Sequence, residues 1–110
     1  MPRKYRLTGE EIKDLSGRRF HGRFFSLLVA SLSSTHAKCA CVVSKKVSAR
    51  AVDRNLIKRR CRAALSAQIA TIESPIALVF SAKREALGAP LSEVKRDVEA
   101  LLNRLPAGNK

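Results

Sequence analysis

KCACVVSKKVSARAVDRNLIKRRCR, residues 38–62, carries nine of the chain's 22 lysines and arginines and a single acid, Asp53. Its first residues alternate. Cys39, Cys41 and Val43 fall on one side of an extended chain and Ala40, Val42 and Ser44 on the other, which predicts a strand over Lys38–Ser44. From Ala51 the period becomes helical. Ile57, Cys61, Ala64, Leu65 and Ile72 gather in an arc of roughly 100°, while Asn55, Lys58, Arg59 and Arg62 fill a separate arc of similar width. A helix over 51–72 therefore packs by one face and offers a cationic ridge on another.

The rest of the chain builds outward from that unit. Pro75 and the fully apolar IALVF, residues 76–80, predict a strand central in its sheet, which makes strand, helix and strand a βαβ unit. Upstream, Arg23–Ser31 reads as a largely buried strand with Phe25, Leu27 and Val29 on one face. The short link over 33–37 predicts that this strand pairs antiparallel with Lys38–Ser44. Thr8 and Glu11 have the spacing of a capping box, so a short helix is expected over Gly9–Ser16, ended by Gly17. Leu91, Val94, Val98, Leu101, Leu102 and Leu105 recur at helical spacing behind Pro90, and the charges of this last helix nearly cancel, which marks it as scaffold. Residues 1–7, with Arg3, Lys4 and Arg6, read as a loosely held basic arm, and 106–110 as a tail. With 110 residues, 45% of them hydrophobic, the whole is one α+β domain with one modest core.

The charge limits the function. Nine cations against one acid leave +8 of the total +13 in residues 38–62, and such a field attracts polyanions while destabilising a domain that binds nothing. A helix gives Lys58 and Arg62 an i, i+4 row flanked by Arg54 and Arg59, and the guanidinium fork suits phosphate oxygens and exposed bases of a folded RNA. A membrane-surface helix would show a bulky apolar face, whereas this one has Cys61, Ala63, Ala64 and Ala67, sized for packing on a sheet. The apolar run Phe24–Ala30 is too short to cross a bilayer. Asn55 reads either as an amide used in recognition or as a residue of the first helical turn. Cys39-x-Cys41 lacks the ligand spacing of a zinc site and reads as buried thiols, and His21 and His36 lack neighbours for metal or acid–base work. Three cysteines without an apolar leader predict a reducing, cytoplasmic setting.

Residues 42–62 resemble the signature of the bacterial ribonuclease P protein component, whose usual form is SKKxGxAVxRNRxKRxxRE. Ser44, Lys45, Lys46, Ala51, Val52, Arg54, Asn55, Lys58, Arg59 and Arg62 carry the likeness, joined by Arg6-Leu7, the run IALVFSAK and the closing amphipathic helix. Leu56 stands for the middle arginine of the motif, Ser48 for its glycine and Ala63 for its closing glutamate. The resemblance implies a ribosomal-protein-like α+β domain of order α-β-β-β-α-β-α. Its four-stranded mixed sheet would contain a left-handed βαβ crossover, against the usual hand, and the fourth strand would lie near Arg18–His21 or be split from a longer one.

By the same likeness the chain would be the protein subunit of an endoribonuclease that removes the 5′ leader of precursor tRNA. The chemistry would belong to the partner RNA and to Mg2+ held mainly by RNA phosphates, with no catalytic residue, metal or obligate protein partner on the protein. Lys45, Lys46, Arg54, Asn55, Lys58, Arg59 and Arg62 would face the RNA, and Arg50 joins them by its local charge. A cleft between the first helix and the sheet would hold the single-stranded leader. There Ile12 and Ser16 stand where the family places helix aromatics, and Leu28 where it places a strand tyrosine. Phe24, taken to share the strand face of Leu28, or else Phe20 would offer a ring to the leader, or both belong to the core. The alternative reading is a ribosome-associated or other structured-RNA-binding protein of the same fold. A DNA-binding helix module is the third class, and competition between duplex DNA and structured RNA separates it.

Overall fold

The change of period within residues 38–62 appears in the fold as β3 (Lys38–Val42) followed by α2 (Ala51–Ser66). Before them come α1 (Gly9–Lys13), β1 (Arg18–His21) and β2 (Phe25–Ser31); after them come β4 (Ile76–Ala82) and α3 (Leu91–Leu102). Single 3-10 turns occupy Arg3–Tyr5, Ile69–Thr71 and Arg84–Ala86. The computed structural model describes residues 3–72 and 74–105, so the expected tail at 106–110 lies outside the described residues. The order is the expected α-β-β-β-α-β-α, and Arg18–His21 is the fourth strand.

The four strands form one mixed sheet in the order β1-β2-β4-β3. β4 lies antiparallel to β2, from Phe25 opposite Ala82 to Ser31 opposite Ile76, and parallel to β3, from Lys38 opposite Ala77 to Val42 opposite Ser81. The expected antiparallel pairing of β2 with β3 is therefore corrected, because β4 lies between them. Residues 76–80 are all buried, so this strand has no face to give to water and takes the inner position. The short 32–37 link crosses the start of β4, where the Leu32 amide donates to the Pro75 carbonyl at 3.1 Å.

α2 and α3 cover one face of the sheet. Ile57, Cys61, Ala64 and Leu65 of α2 and Val94, Val98, Leu101 and Leu102 of α3 pack on Phe25, Leu27, Leu78 and Phe80. α2 stops at Ser66, short of Ile72; the chain turns through Ile69–Thr71, and Ile69 drops into the core at 1% exposure. Asp97, the one buried charged residue among those described, accepts the backbone N–H groups of Arg23, Phe24 and Phe25 at 2.8, 2.9 and 3.1 Å. It thereby ties α3 to the β1–β2 turn.

The opposite face is less covered. α1 is five residues long. Its capping box is present, with the Thr8 amide donating to Glu11 Oε1 at 2.9 Å and the Glu11 amide to Thr8 Oγ1 at 3.2 Å. The Thr8 amide bond lowers the Glu11 carboxyl below its ordinary value, and Lys38 adds to this. A Cβ on Gly17 would run into the Val29 carbonyl, so the chain can pass from α1 to β1 only with glycine there. Leu7, Ala30, Ala77 and Val79 are buried on this side, with Ile12, Leu15, Leu28, Leu32 and Ala40 packed around them.

Residues 3–7 are not a loose arm. Arg6 bridges Cys39, the Leu7 amide donates to the Cys39 carbonyl at 2.9 Å, and His36 Nε2 meets the Lys4 carbonyl at 2.7 Å. The three cysteines are buried and form no disulfide. Burial pushes the Cys39 thiol up to about 12 and raises that of Cys61 well above its ordinary value. Thiolate is the reactive species, so alkylation of both at pH 8 should be slower in the folded chain than in urea by roughly two orders of magnitude. Mass spectrometry of iodoacetamide-treated protein checks this, and equal rates would contradict the α2–β3 seam.

Candidate nucleic-acid interface

The loop from β3 to α2 is ordered from within. Val43 and Val47 are buried and anchor it, leaving Lys45 and Lys46 exposed between them. Ser48 Oγ donates to Asp53 at 3.0 Å and accepts the Arg50 amide at 3.2 Å. Arg50 Nε stands 3.9 Å from the same carboxylate with its side chain 76% exposed. The one acid of the segment thus organises the loop at the helix N-terminus, where a negative charge also suits the helix dipole. Arg54 Nη1 donates to the Ser48 and Ala49 carbonyls, both at 2.9 Å. The residue is half-buried and bonded to the loop backbone, so Arg54 shapes the loop as well as adding charge.

Along α2 the faces separate as the periodicity predicts. Ile57, Cys61, Ala64 and Leu65 are buried, Asn55 and Arg59 are exposed, and Lys58 and Arg62 are half-buried on the flank between them. Asn55 lies beyond the first turn of a helix that opens after Arg50, so it is not a cap. Of the small residues read as packing positions, Cys61 and Ala64 face the sheet, and Ala63 and Ala67 are exposed. Arg60 turns to the other side and donates to the Ala89 carbonyl. It therefore cannot stand in for the arginine missing at Leu56.

Arg62 joins the helix to the sheet. With Arg6 it lines a cavity of about 150 Å³ at the edge of β3, walled by Leu7, Ile12 and Cys39 to Val42. Both guanidinium charges pull the Cys39 thiol down against the effect of burial, a sign that they converge on this edge.

Beyond the cavity is the open sheet face. In register across the four strands it presents His21, Ser26, Ser81 and Val42 in one row and Arg19, Leu28, Val79 and Ala40 in the next. Ile12 and Leu28, expected in the cleft, are both on this face. Ser16 lies past the end of α1, in a separate cavity with Gly17, Arg18 and Ile76. Phe20 and Phe24 are corrections. Phe20 is opposite Leu27 and packs against the core on the α2–α3 side. Phe24, 5% exposed, precedes β2 in a turn held by Asp97, so strand alternation does not extend to it and it joins the same core. Neither row contains a phenylalanine, tyrosine or tryptophan, and His21 carries the one ring in them. Arg19, His21, Ser26 and Ser81 are the residues that sequence reasoning missed; the signal for them was the alternation within β1, β2 and the end of β4, usable only once the register between these strands is known.

Among the described residues no three His, Cys, Asp or Glu side chains gather in a way that could hold a metal ion. None of the described helices is long and apolar enough to cross a membrane.

A small α+β domain, with one helix displaying an unneutralised basic flank beside a half-covered mixed sheet, is the class that this geometry defines. A family model described as Ribonuclease P matches residues 1–106, and the chain belongs to the ribonuclease P protein family. It is thus a protein component of a tRNA-processing ribonuclease, a class that associates with a ribonuclease P RNA. Among solved structures, the Staphylococcus aureus RNase P protein matches with a TM-score of 0.80 at 22% identity, over 90% of this chain and 93% of that one. The Thermotoga maritima RNase P protein matches with a TM-score of 0.77 at 19% identity, over 93% and 98%. At these identities the likeness concerns the fold. No curated protein sequence matches the chain.

Proposed function

We propose that this chain binds the catalytic RNA of ribonuclease P along α2 and the preceding loop, and the 5′ leader of precursor tRNA across the open sheet face. The supporting observation is the flank of α2: Asn55, Lys58, Arg59 and Arg62 meet no carboxylate among the described residues, and Arg62 lines with Arg6 the cavity that leads to the sheet. Lys45, Lys46 and Arg50 extend the same charge along the loop, and Arg54 fixes its shape. The protein supplies electrostatics and positioning in the cytoplasm and no reacting group. The partner RNA's phosphates would hold the Mg2+ ions, and the chemistry those ions would supply is activation of a water for hydrolysis of the phosphodiester.

The leader side differs from an aromatic platform. Leu28, Ile12, Ala40 and Val42 offer apolar contact, and Arg19, His21, Ser26 and Ser81 offer hydrogen bonds and charge. Such a surface grips the sugar–phosphate chain with little stacking. The test is cleavage of precursor tRNA by a ribonuclease P RNA at low magnesium, with and without this protein, using long and short leaders. The expected result is stimulation that grows with leader length. RNA binding without stimulation would favour a ribosome-associated protein of the same fold.

A further inference from the structure

A second concentration of guanidinium charge lies across the sheet from α2, at the outer edge of β1, which pairs only with β2. Arg18 and Phe20 share the α3 side of the sheet with their partners Val29 and Leu27. The Arg18 guanidinium stands 5.5 Å from the Phe20 ring centroid, and that of Arg104, just past the end of α3, stands 5.3 Å from the same centroid. Arg104 Nη1 also donates to the His21 carbonyl at 3.0 Å. Arg19 points to the other face, so arginines flank the edge from both sides. The ion pairs among the described residues are Arg23–Glu93, Lys38–Glu11 and Arg50–Asp53, and none reaches Arg18, Arg19 or Arg104.

A purely structural tie between α3 and β1 explains one arginine on this ring. Two guanidinium groups rest on one ring with no carboxylate paired to either, so the charge at this edge is uncompensated and an arriving anion relieves it. Each guanidinium has five donors, of which Arg104 spends one within the chain. Stacking on a ring leaves the donor edges free to grip phosphate oxygens. β1 and β3 are the outer strands of the four, about 14 Å apart at ordinary strand spacing. The phosphates held here are therefore not those held at the Arg6–Arg62 end of α2.

The geometry points to the β1 edge, through Arg18, Arg19 and Arg104, as a second surface for an RNA phosphodiester chain. It lets the domain bridge two RNA segments, and it rests on the reading of the chain as an RNA-binding subunit. The segment comes from the catalytic RNA or from the precursor, and both are probed.

The test compares Arg18→Gln/Arg104→Gln with the charge-preserving Arg18→Lys/Arg104→Lys. Binding is measured first to a ribonuclease P RNA transcript, then to precursor tRNA in the reconstituted holoenzyme, with a urea midpoint for each variant. In one of the two measurements the glutamine pair should weaken binding on the order of tenfold near 100 mM salt and flatten the log–log salt slope by roughly 1.5, while the lysine pair keeps the slope. The measurement that responds names the source of the phosphates. If the pair does not fold, Arg18→Gln alone, which removes no hydrogen bond, should flatten the slope by roughly 0.8. Unchanged slopes in both measurements overturn the inference; if Arg59→Ala still weakens binding, the α2 reading survives, and if it does not, that reading falls too.

Discussion

Replacing Asp97 by alanine is expected to cost about 4 kcal/mol of folding stability, enough to leave a domain of this size close to unfolding. Asp97 is 8% exposed and receives three consecutive backbone N–H groups, those of Phe24 and Phe25 in buried surroundings. Alanine offers no acceptor, and water entering from the cavity that Asp97 lines would replace only part of the three bonds. A Cβ on Gly22 would already sit 2.7 Å from Asp97 Oδ1. The neighbouring carbonyls are satisfied by other long side chains, Gly22 by Lys83 Nζ at 2.7 Å and His21 by Arg104. Losing the aspartate therefore frees the hinge on which β1, β2 and α3 meet. Thermal denaturation should show a midpoint lower by roughly 20 °C, and Asp97→Asn, which keeps one oxygen, should fall between. A change below about 1 kcal/mol would mean that the turn holds without its clamp.

RNA affinity is expected to be the property most sensitive to salt and to the α2 flank. With about six phosphates engaged, the logarithm of the binding constant should fall against the logarithm of salt with a slope of roughly −4 to −5. Arg59→Ala and Arg62→Ala should each weaken binding on the order of 1 kcal/mol without unfolding the domain. Arg59 is exposed and without a partner among the described residues, and Arg62 lines the cavity rather than the core. Ile57→Asp should abolish folding, since that side chain is 2% exposed beneath the same helix. Restoring the family arginine by Leu56→Arg should steepen the slope by roughly 0.8, because Leu56 is 38% exposed and Arg60 is engaged with Ala89. A flat salt titration, or unfolding by all of these changes alike, would refute the assignment of faces to α2.

The candidate interface was unevenly legible in the sequence. The helix-borne residues Asn55, Lys58, Arg59 and Arg62 were readable because helical periodicity is local: spacing in sequence fixes angle on the cylinder. Arg60 and Arg54 were less so, since what occupies their guanidinium groups, the Ala89 carbonyl in one case and the Ser48 and Ala49 carbonyls in the other, depends on where other backbone runs. Phe20 and Phe24 failed for a sharper reason. Alternation assigns faces only within a strand and relative to a known neighbour, and a turn stands between the two rings.

By itself the sequence determined the element types, the two-sided helix, the apolar strand that must be innermost and the family to which the signature points. These depend on residue chemistry and on periods of two and of 3.6 residues, which act over a few neighbours. Only the tertiary structure decided that β4 separates β2 from β3, that residues 3–7 line the edge of β3, and that Arg18 and Arg104 meet on one ring. Those outcomes rest on contacts between residues far apart in the chain, and no local pattern encodes which strand edge or helix end will arrive beside them.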